Sequence, residues 1–132
     1  MALVVDTDVV SFIFKRDTRA ALYVPHLSGH MLTTSFQTLA ELELWMLVAN
    51  WGARRRLQLA RHLRRYIVEH SSPALCRRWA EVLDDARRGG SPIATADAWN
   101  AATARLLGVP LVTHNRSHYI NVTGLTIISE SP

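Results

Sequence analysis

One cysteine, Cys76, stands in a chain of 132 residues. The chain can therefore close no intramolecular disulfide and build no thiolate-rich zinc site. Such poverty suits a reducing compartment, and a cytoplasmic location is expected. No run approaches the roughly 18 apolar residues that a membrane span needs. A hydrophobic content of 48% with a mean hydropathy of +0.04 is that of an ordinary globular protein. The start, Met1-Ala2-Leu3-Val4-Val5-Asp6, reaches a carboxylate after a few small or apolar residues and has no basic leader. It is expected to be the mature N-terminus rather than a secretory signal. No internal repeat, low-complexity tract or interdomain linker interrupts the chain, so residues 1–132 are expected to form one domain with a core of its own.

Lysine is as scarce as cysteine. Lys15 is the only one, and arginine supplies the rest of the 15 basic residues, which face 11 acids for a formal net charge of +4. Arginine's planar fork suits phosphate and carboxylate, although a GC-rich genome produces the same preference with no function attached. Position is more informative than number. Arg54, Arg55, Arg56, Arg61, Arg64, Arg65, Arg77 and Arg78 crowd one middle stretch, which calls for an anionic partner or a solvated face.

Residues 2–6 form an apolar run without polar alternation, the pattern of a strand buried on both faces in a parallel sheet. Asp8 or Ser11 can cap a short helix through Phe14, Asp17-Thr18 opens a further segment towards Pro25, and Ser28-Gly29 turns the chain into a strand at Met31–Thr33. Helical spacing follows from Ser35 through Val48, with Glu41 mid-helix and a break at Asn50 and Gly52. It resumes over Arg54–Glu69 and again over Leu75–Arg88, up to Gly89-Gly90. These two helices read as an insertion over one edge of the sheet. Ser91-Pro92, in the order of cap then proline, is expected to start a helix that runs to Leu107 and stops at Gly108. Pro110–Thr113 and Leu125–Ile128 read as strands on either side of a polar turn from His114 to His118. Alternation of strand and helix makes this an α/β chain with a mostly parallel central sheet flanked by helices.

In an open α/β sheet, ligands gather beyond the carboxyl ends of the strands. Asp6 and Asn115 fall at such ends, and Glu41 and Asp97 sit on helices able to aim acids into the same crevice. Singly, each has a duller explanation as a helix cap, a dipole partner or a solvated side chain. Trp45 and Trp99 lie in helices among apolar neighbours and read as core rather than as base-stacking surfaces. His114 and His118 have the four-residue spacing of a helical metal pair, but no third soft ligand accompanies them.

Taken together, four stretches resemble PIN domains of the VapC toxin type: Val4-Val5-Asp6-Thr7-Asp8, Ala40-Glu41-Leu42, Pro92 through Ala104, and Leu111-Val112-Thr113-His114-Asn115-Arg116. Order and spacing both agree, over essentially the whole chain. The resemblance implies a single PIN-like domain of three layers, α/β/α, and a magnesium-dependent endoribonuclease, with manganese able to stand in. It places Asp6, Glu41 and Asp97 as metal-holding acids and Asn115 as the fourth catalytic-site residue, where many relatives have aspartate. Relatives often carry another acid where this chain has His118. Asp8, read first as a helix cap, and Thr113, a hydroxyl donor, are candidates for supporting the acids. The resemblance further implies a homodimer bound to a small VapB-like antitoxin, with transfer or ribosomal RNA as substrate. Arg61 and Arg65, four apart and so on one helix face, are candidates for contact with RNA or with the antitoxin's acidic tail.

Two other phosphotransfer classes open with a strand followed by Asp-Thr-Asp or similar. Haloacid-dehalogenase-like phosphatases and receiver domains both need a lysine late in the chain, and Lys15 cannot supply it. The stronger rival is a catalytically weak PIN-like module that binds RNA or a protein through its arginine helices.

Overall fold

Leu3, Val4 and Val5 are almost wholly buried because their strand, β1 (Ala2–Val5), lies at the centre of a five-stranded sheet. The computed structural model describes residues 1–132. After β1 come α1 (Thr7–Lys15), α2 (Ala20–Leu27), β2 (Met31–Ser35), α3 (Phe36–Val48), α4 (Ala53–Leu63) and β3 (Tyr66–Glu69). The chain continues through α5 (Pro73–Arg88), α6 (Thr95–Leu107), β4 (Leu111–Val112), a 3-10 turn (Arg116–Tyr119) and β5 (Ile127–Ile128). The strand order is β3-β2-β1-β4-β5, and every pairing is parallel. The order reverses between β1 and β4, which makes their carboxyl ends the natural crevice of the sheet. No helix is long and apolar enough to cross a membrane.

Side chains alternate across the sheet, and two cores result. Leu3 and Val5 face one core, with Val9, Tyr23, Leu42 and Leu59 from α1 to α4; Val4 faces the other, with Leu75, Val82, Ala98 and Leu111. This is a three-layer α/β/α arrangement. The alanines of α6, Ala98, Ala101, Ala102 and Ala104, are all buried; their small side chains let the helix lie close to the sheet and to α5. Gly108 ends α6 in the left-handed conformation (φ 66°), a stop for which glycine carries no Cβ penalty.

Three expectations are corrected. The helix expected over 54–69 stops at Leu63, and Tyr66–Glu69 instead pairs with β2 from Leu32↔Tyr66 to Ser35↔Glu69. Tyr66, Ile67 and Val68 are aromatic or β-branched and fit a pleated edge better than a helix. The stretch is therefore not an insertion over the sheet: α4 leads into the edge strand, and α5 packs on α6. The helix expected from Ser91-Pro92 begins only at Thr95, with no side-chain cap. Ile93 is drawn into the core there, which holds the preceding residues out of the helix. Cap then proline does occur at α5, where Ser72 Oγ accepts from the Leu75 N–H and Pro73 is the first residue. Finally, α1 is capped by Asp6 rather than by Asp8 or Ser11.

The roll of α4 can be tested directly, since Leu59 is 1% exposed and Leu57 49%. Leu59→Ala is expected to cost about 2–5 kcal/mol and Leu57→Ala within about 0.5 kcal/mol, read from urea unfolding. Equal losses would mean that α4 presents a different face.

Candidate active site

Asp6 follows β1 directly and is 5% exposed. Its Oδ1 accepts from the Thr7 N–H at 2.8 Å and from Asn100 Nδ2 at 2.7 Å. Its Oδ2 accepts from Thr113 Oγ1 at 2.7 Å and from the Tyr119 hydroxyl at 3.0 Å. Each oxygen of the carboxylate thereby accepts from two donors. A second tier locks the donors: Asn100 Oδ1 accepts from Ser35 Oγ, which itself accepts from the Thr38 N–H, and the Thr38 and Thr7 hydroxyls meet at 2.9 Å.

The other acids surround this anchor. Asp8 Oδ1 accepts from the Val9 N–H at 2.7 Å, while its Oδ2 accepts from the His114 N–H and from Asn115 Nδ2, each at 3.0 Å. Glu41 Oε1 accepts from Gln37 Nε2 at 3.1 Å. Asp97 Oδ2 lies 3.0 Å from His118 Nδ1, and its Oδ1 lies 3.4 Å from the Tyr119 hydroxyl. Asp6, Asp8, Glu41, Asp97 and Asn115 line one pocket of about 330 Å³, together with Thr7, Ser11, Leu42 and Trp45, and no lysine or arginine lines it.

Burial, and after it the charge of Asp8, pushes Asp6 up to about 7 against the donors that favour its anion. Asp8 is raised as well, chiefly by burial. The Tyr119 phenol is held far above its usual range by burial and by the Asp6 and Asp97 charges, so it serves as a donor. Oxygen ligands of this kind are those that a hard divalent cation takes, and the donor set fits such an ion. The ligands are not drawn tight in this geometry, where no three His, Cys, Asp or Glu side chains stand close enough to hold a metal.

All four expected catalytic-site residues, Asp6, Glu41, Asp97 and Asn115, therefore meet in one pocket. Asp8 lines it too and is no cap, and the buried Thr113 holds Asp6. Arg61 and Arg65 lie elsewhere, in a separate basic cleft. The two histidines do not converge: the His114 ring packs on Phe12 and meets the Tyr23 hydroxyl, whereas His118 faces Asp97. Trp99 stacks on Trp79 as core, but Trp45, half-buried, both packs on Trp51 and lines the acid pocket.

Sequence reasoning missed Asn100 and Tyr119. Asn100 left a signal, as a polar residue on the alanine face of α6, three positions after Asp97; a buried amide there must have partners. Tyr119 left none, because nothing in a polar turn says which way its one aromatic side chain folds.

The PIN domain family model matches residues 3–122. No curated protein sequence matches the chain. Solved structures with the same fold include VapBC2 from Rickettsia felis, bound to a DNA fragment from its promoter, at a TM-score of 0.85 and 18% identity over 98% of both chains. VapBC-1 from nontypeable Haemophilus influenzae superposes at 0.82 with 24% identity, again over 98% of both. VapBC-5 from Mycobacterium tuberculosis, of the VapBC family of toxin-antitoxin systems, superposes at 0.70 with 22% identity over 97% of this chain and 98% of that one.

Raising Asp6 makes stability depend on pH with a definite sign. The unfolded chain loses this proton near 3.8 and the folded chain only near 7, so stability falls as pH rises between those values. The loss amounts to a few kcal/mol, at about 1.4 kcal/mol per pKa unit. In chelator, Asp6→Asn is expected to remove that slope, and the variant should gain on the wild type between pH 4 and pH 7 in urea unfolding. Parallel profiles would show that Asp6 ionises normally.

Proposed function

The chain belongs to the PIN domain family, and on that premise we propose that it is a magnesium-dependent endoribonuclease, the toxin of a VapBC-type toxin-antitoxin pair acting in the cytoplasm. One observation carries this reading: Asp6, Asp8, Glu41 and Asp97 share a pocket with no cationic side chain, at the strand-order reversal. Such a pocket is costly unless a cation occupies it. Asp6, Glu41 and Asp97 would hold magnesium, or manganese in its place. Bound there, the ion supplies an activated water and neutralises charge on the phosphate.

The chain's own residues set the geometry. Thr113, Tyr119, Asn100 and the Thr7 N–H fix the Asp6 carboxylate in one orientation, so it need not reorganise when substrate arrives. Asn115 is held by Asp8 and stands exposed at the pocket mouth, where its amide can meet a phosphate oxygen. The likeness to VapBC complexes supports a VapB-like antitoxin partner, and the resemblance of motifs implies a homodimer. The substrate class, transfer or ribosomal RNA, follows from the resemblance of motifs.

A second reading, a PIN-like module that binds without cutting, is favoured by the neutral Asn115 and by His118 against Asp97. Both are tested by incubating total bacterial RNA with the antitoxin-free protein, in magnesium or in chelator, beside Asp97→Asn, and sequencing new 5′ ends. Discrete 5′-phosphate ends that need magnesium are expected. Asp97→Asn should lower their yield by more than about 100-fold, beyond the 10–100-fold typical of residues that only support metal ligands. Absence of ends from a folded, magnesium-replete sample would favour the binding module.

Magnesium should also raise Tm in the wild type, since an ion that binds only the folded state stabilises it by mass action, and Asp6→Asn should abolish the rise. An unchanged wild-type Tm at millimolar magnesium would count against the site.

A further inference from the structure

A second concavity, about 690 Å³ and so larger than the acid pocket, opens between the C-terminal end of α1 and α4. Lys15, Arg16, Arg55, Arg61 and Arg65 line it, and no acid does. None of the five is paired: the ion pairs of this chain use Arg19, Arg78, Arg87, Arg88 and Arg105, with two histidines. Arg55 is held ready by aromatic faces, its guanidinium carbon 4.5 Å from the Phe14 ring centre and 4.9 Å from that of Trp51. His62, beneath them, is kept neutral at physiological pH, since burial and then the Arg65 charge lower it to about 4. Five like charges gathered in a hollow repel one another, and an anion laid among them relieves that repulsion.

The cleft and the acid pocket are separate hollows at opposite ends of α1. Asp8 and Ser11, near the N-terminal end of α1, line the pocket, while Lys15 and Arg16, at its other end, line the cleft. Asp8 and Arg16 are eight residues apart, or about 12 Å along a helix, which is the rise of three or four stacked nucleotides at about 3.4 Å each. Trp45 stands between the two sites: it lines the acid pocket, and Lys15 Nζ lies 5.3 Å from the centre of its ring. A basic groove with an aromatic face on its path is how proteins hold single strands without choosing their sequence.

We propose that the α1–α4 cleft binds the backbone of single-stranded RNA, seating phosphates three or four nucleotides from the bond at the acid pocket, with Trp45 as a stacking face between them. The inference rests on the nuclease reading. An acidic protein segment would also be drawn to the arginines, but it gains nothing from the indole.

The test is fluorescence anisotropy of a fluorescein-labelled oligouridylate of about ten nucleotides, long enough to reach both sites at that rise, in chelator so that nothing is cut. Combining Arg55→Gln, Arg61→Gln and Arg65→Gln should weaken binding at least tenfold at low salt. The slope of log affinity against log salt should fall by about two, as expected for three phosphate contacts to a single strand. Arg77→Gln, Arg87→Gln and Arg88→Gln together, the same charge change on α5, should alter affinity less than twofold. Lysine at 55, 61 and 65 should restore most of the binding, which an unfolded variant could not do.

Equal losses from the two triple variants, or wild-type affinity in the cleft variant, would overturn the proposal. So would a decaglutamate peptide that depends on the cleft while RNA does not, which would reassign the cleft to an acidic protein segment. Cleavage by a chain whose RNA binding ignores the cleft refutes this inference alone. Cleft-dependent binding by a chain that cuts nothing refutes the nuclease reading alone.

Discussion

A carboxylate with 5% of its surface exposed must find donors for both oxygens or surrender its charge. Asp6 finds four, and each comes from a different part of the chain: the start of α1, the middle of α6, the residue after β4 and the 3-10 turn. Elements far apart in sequence are thus tied to one atom group at the end of the central strand. The second tier, from Ser35 and Thr38, brings the β2–α3 junction into the same network. Removing any one donor would leave the others holding an under-solvated acid, so the network behaves as a unit rather than as separable bonds. The positions of Asp97 and Asn115 follow from it. Asp97 rides on the helix that delivers Asn100, and Asn115 lies two residues after Thr113.

Helix α1 then sorts charge by its own polarity. Its N-terminal end, where backbone N–H groups are unpaired and the dipole is positive, carries Asp6 and Asp8; its C-terminal end carries Lys15 and Arg16. Each sign sits where the macrodipole favours it. A helix of nine residues therefore presents an anionic pocket at one end and a cationic cleft at the other. Each hollow is lined by charge of one sign only. Such a pair offers a cation a place at one end of the helix and an anion a place at the other.

Much of this is legible in the sequence. The apolar runs at 2–6 and 110–113 read as buried strands of a mostly parallel sheet, and Glu41 and Asp97 fall on helices able to aim acids into the crevice at the strand ends. What periodicity could not show was the fate of residues 66–69. Four residues with one aromatic and two β-branched side chains continue an arginine-rich helix as plausibly as they form a strand, and only the free edge of β2 decides. The cap of α1 was hidden for a related reason. Asp6, Asp8 and Ser11 are all competent caps, and the choice depends on where β1 stops, which pairing with β2 and β4 sets. Asn100 was readable in principle as a polar intruder among alanines. Tyr119 was not, because its partners lie 22 and 113 residues away in the chain.

The neutral Asn115 suggested a thinner acidic site than the family pattern, yet the pocket still holds four carboxylates. The resolution lies in Asp8. Its Oδ2 takes the Asn115 amide and the His114 N–H, so Asn115 serves as a donor to an acid on the opposite side of the crevice. Asp8 places its charge in the first turn of α1, where the helix dipole favours it. His118 compounds the asymmetry by placing an imidazole against Asp97. The β4 side of the crevice thereby becomes a hydrogen-bond donor surface and the α1 side an acceptor surface. A phosphate, whose oxygens only accept, is drawn to the first, and a cation to the second.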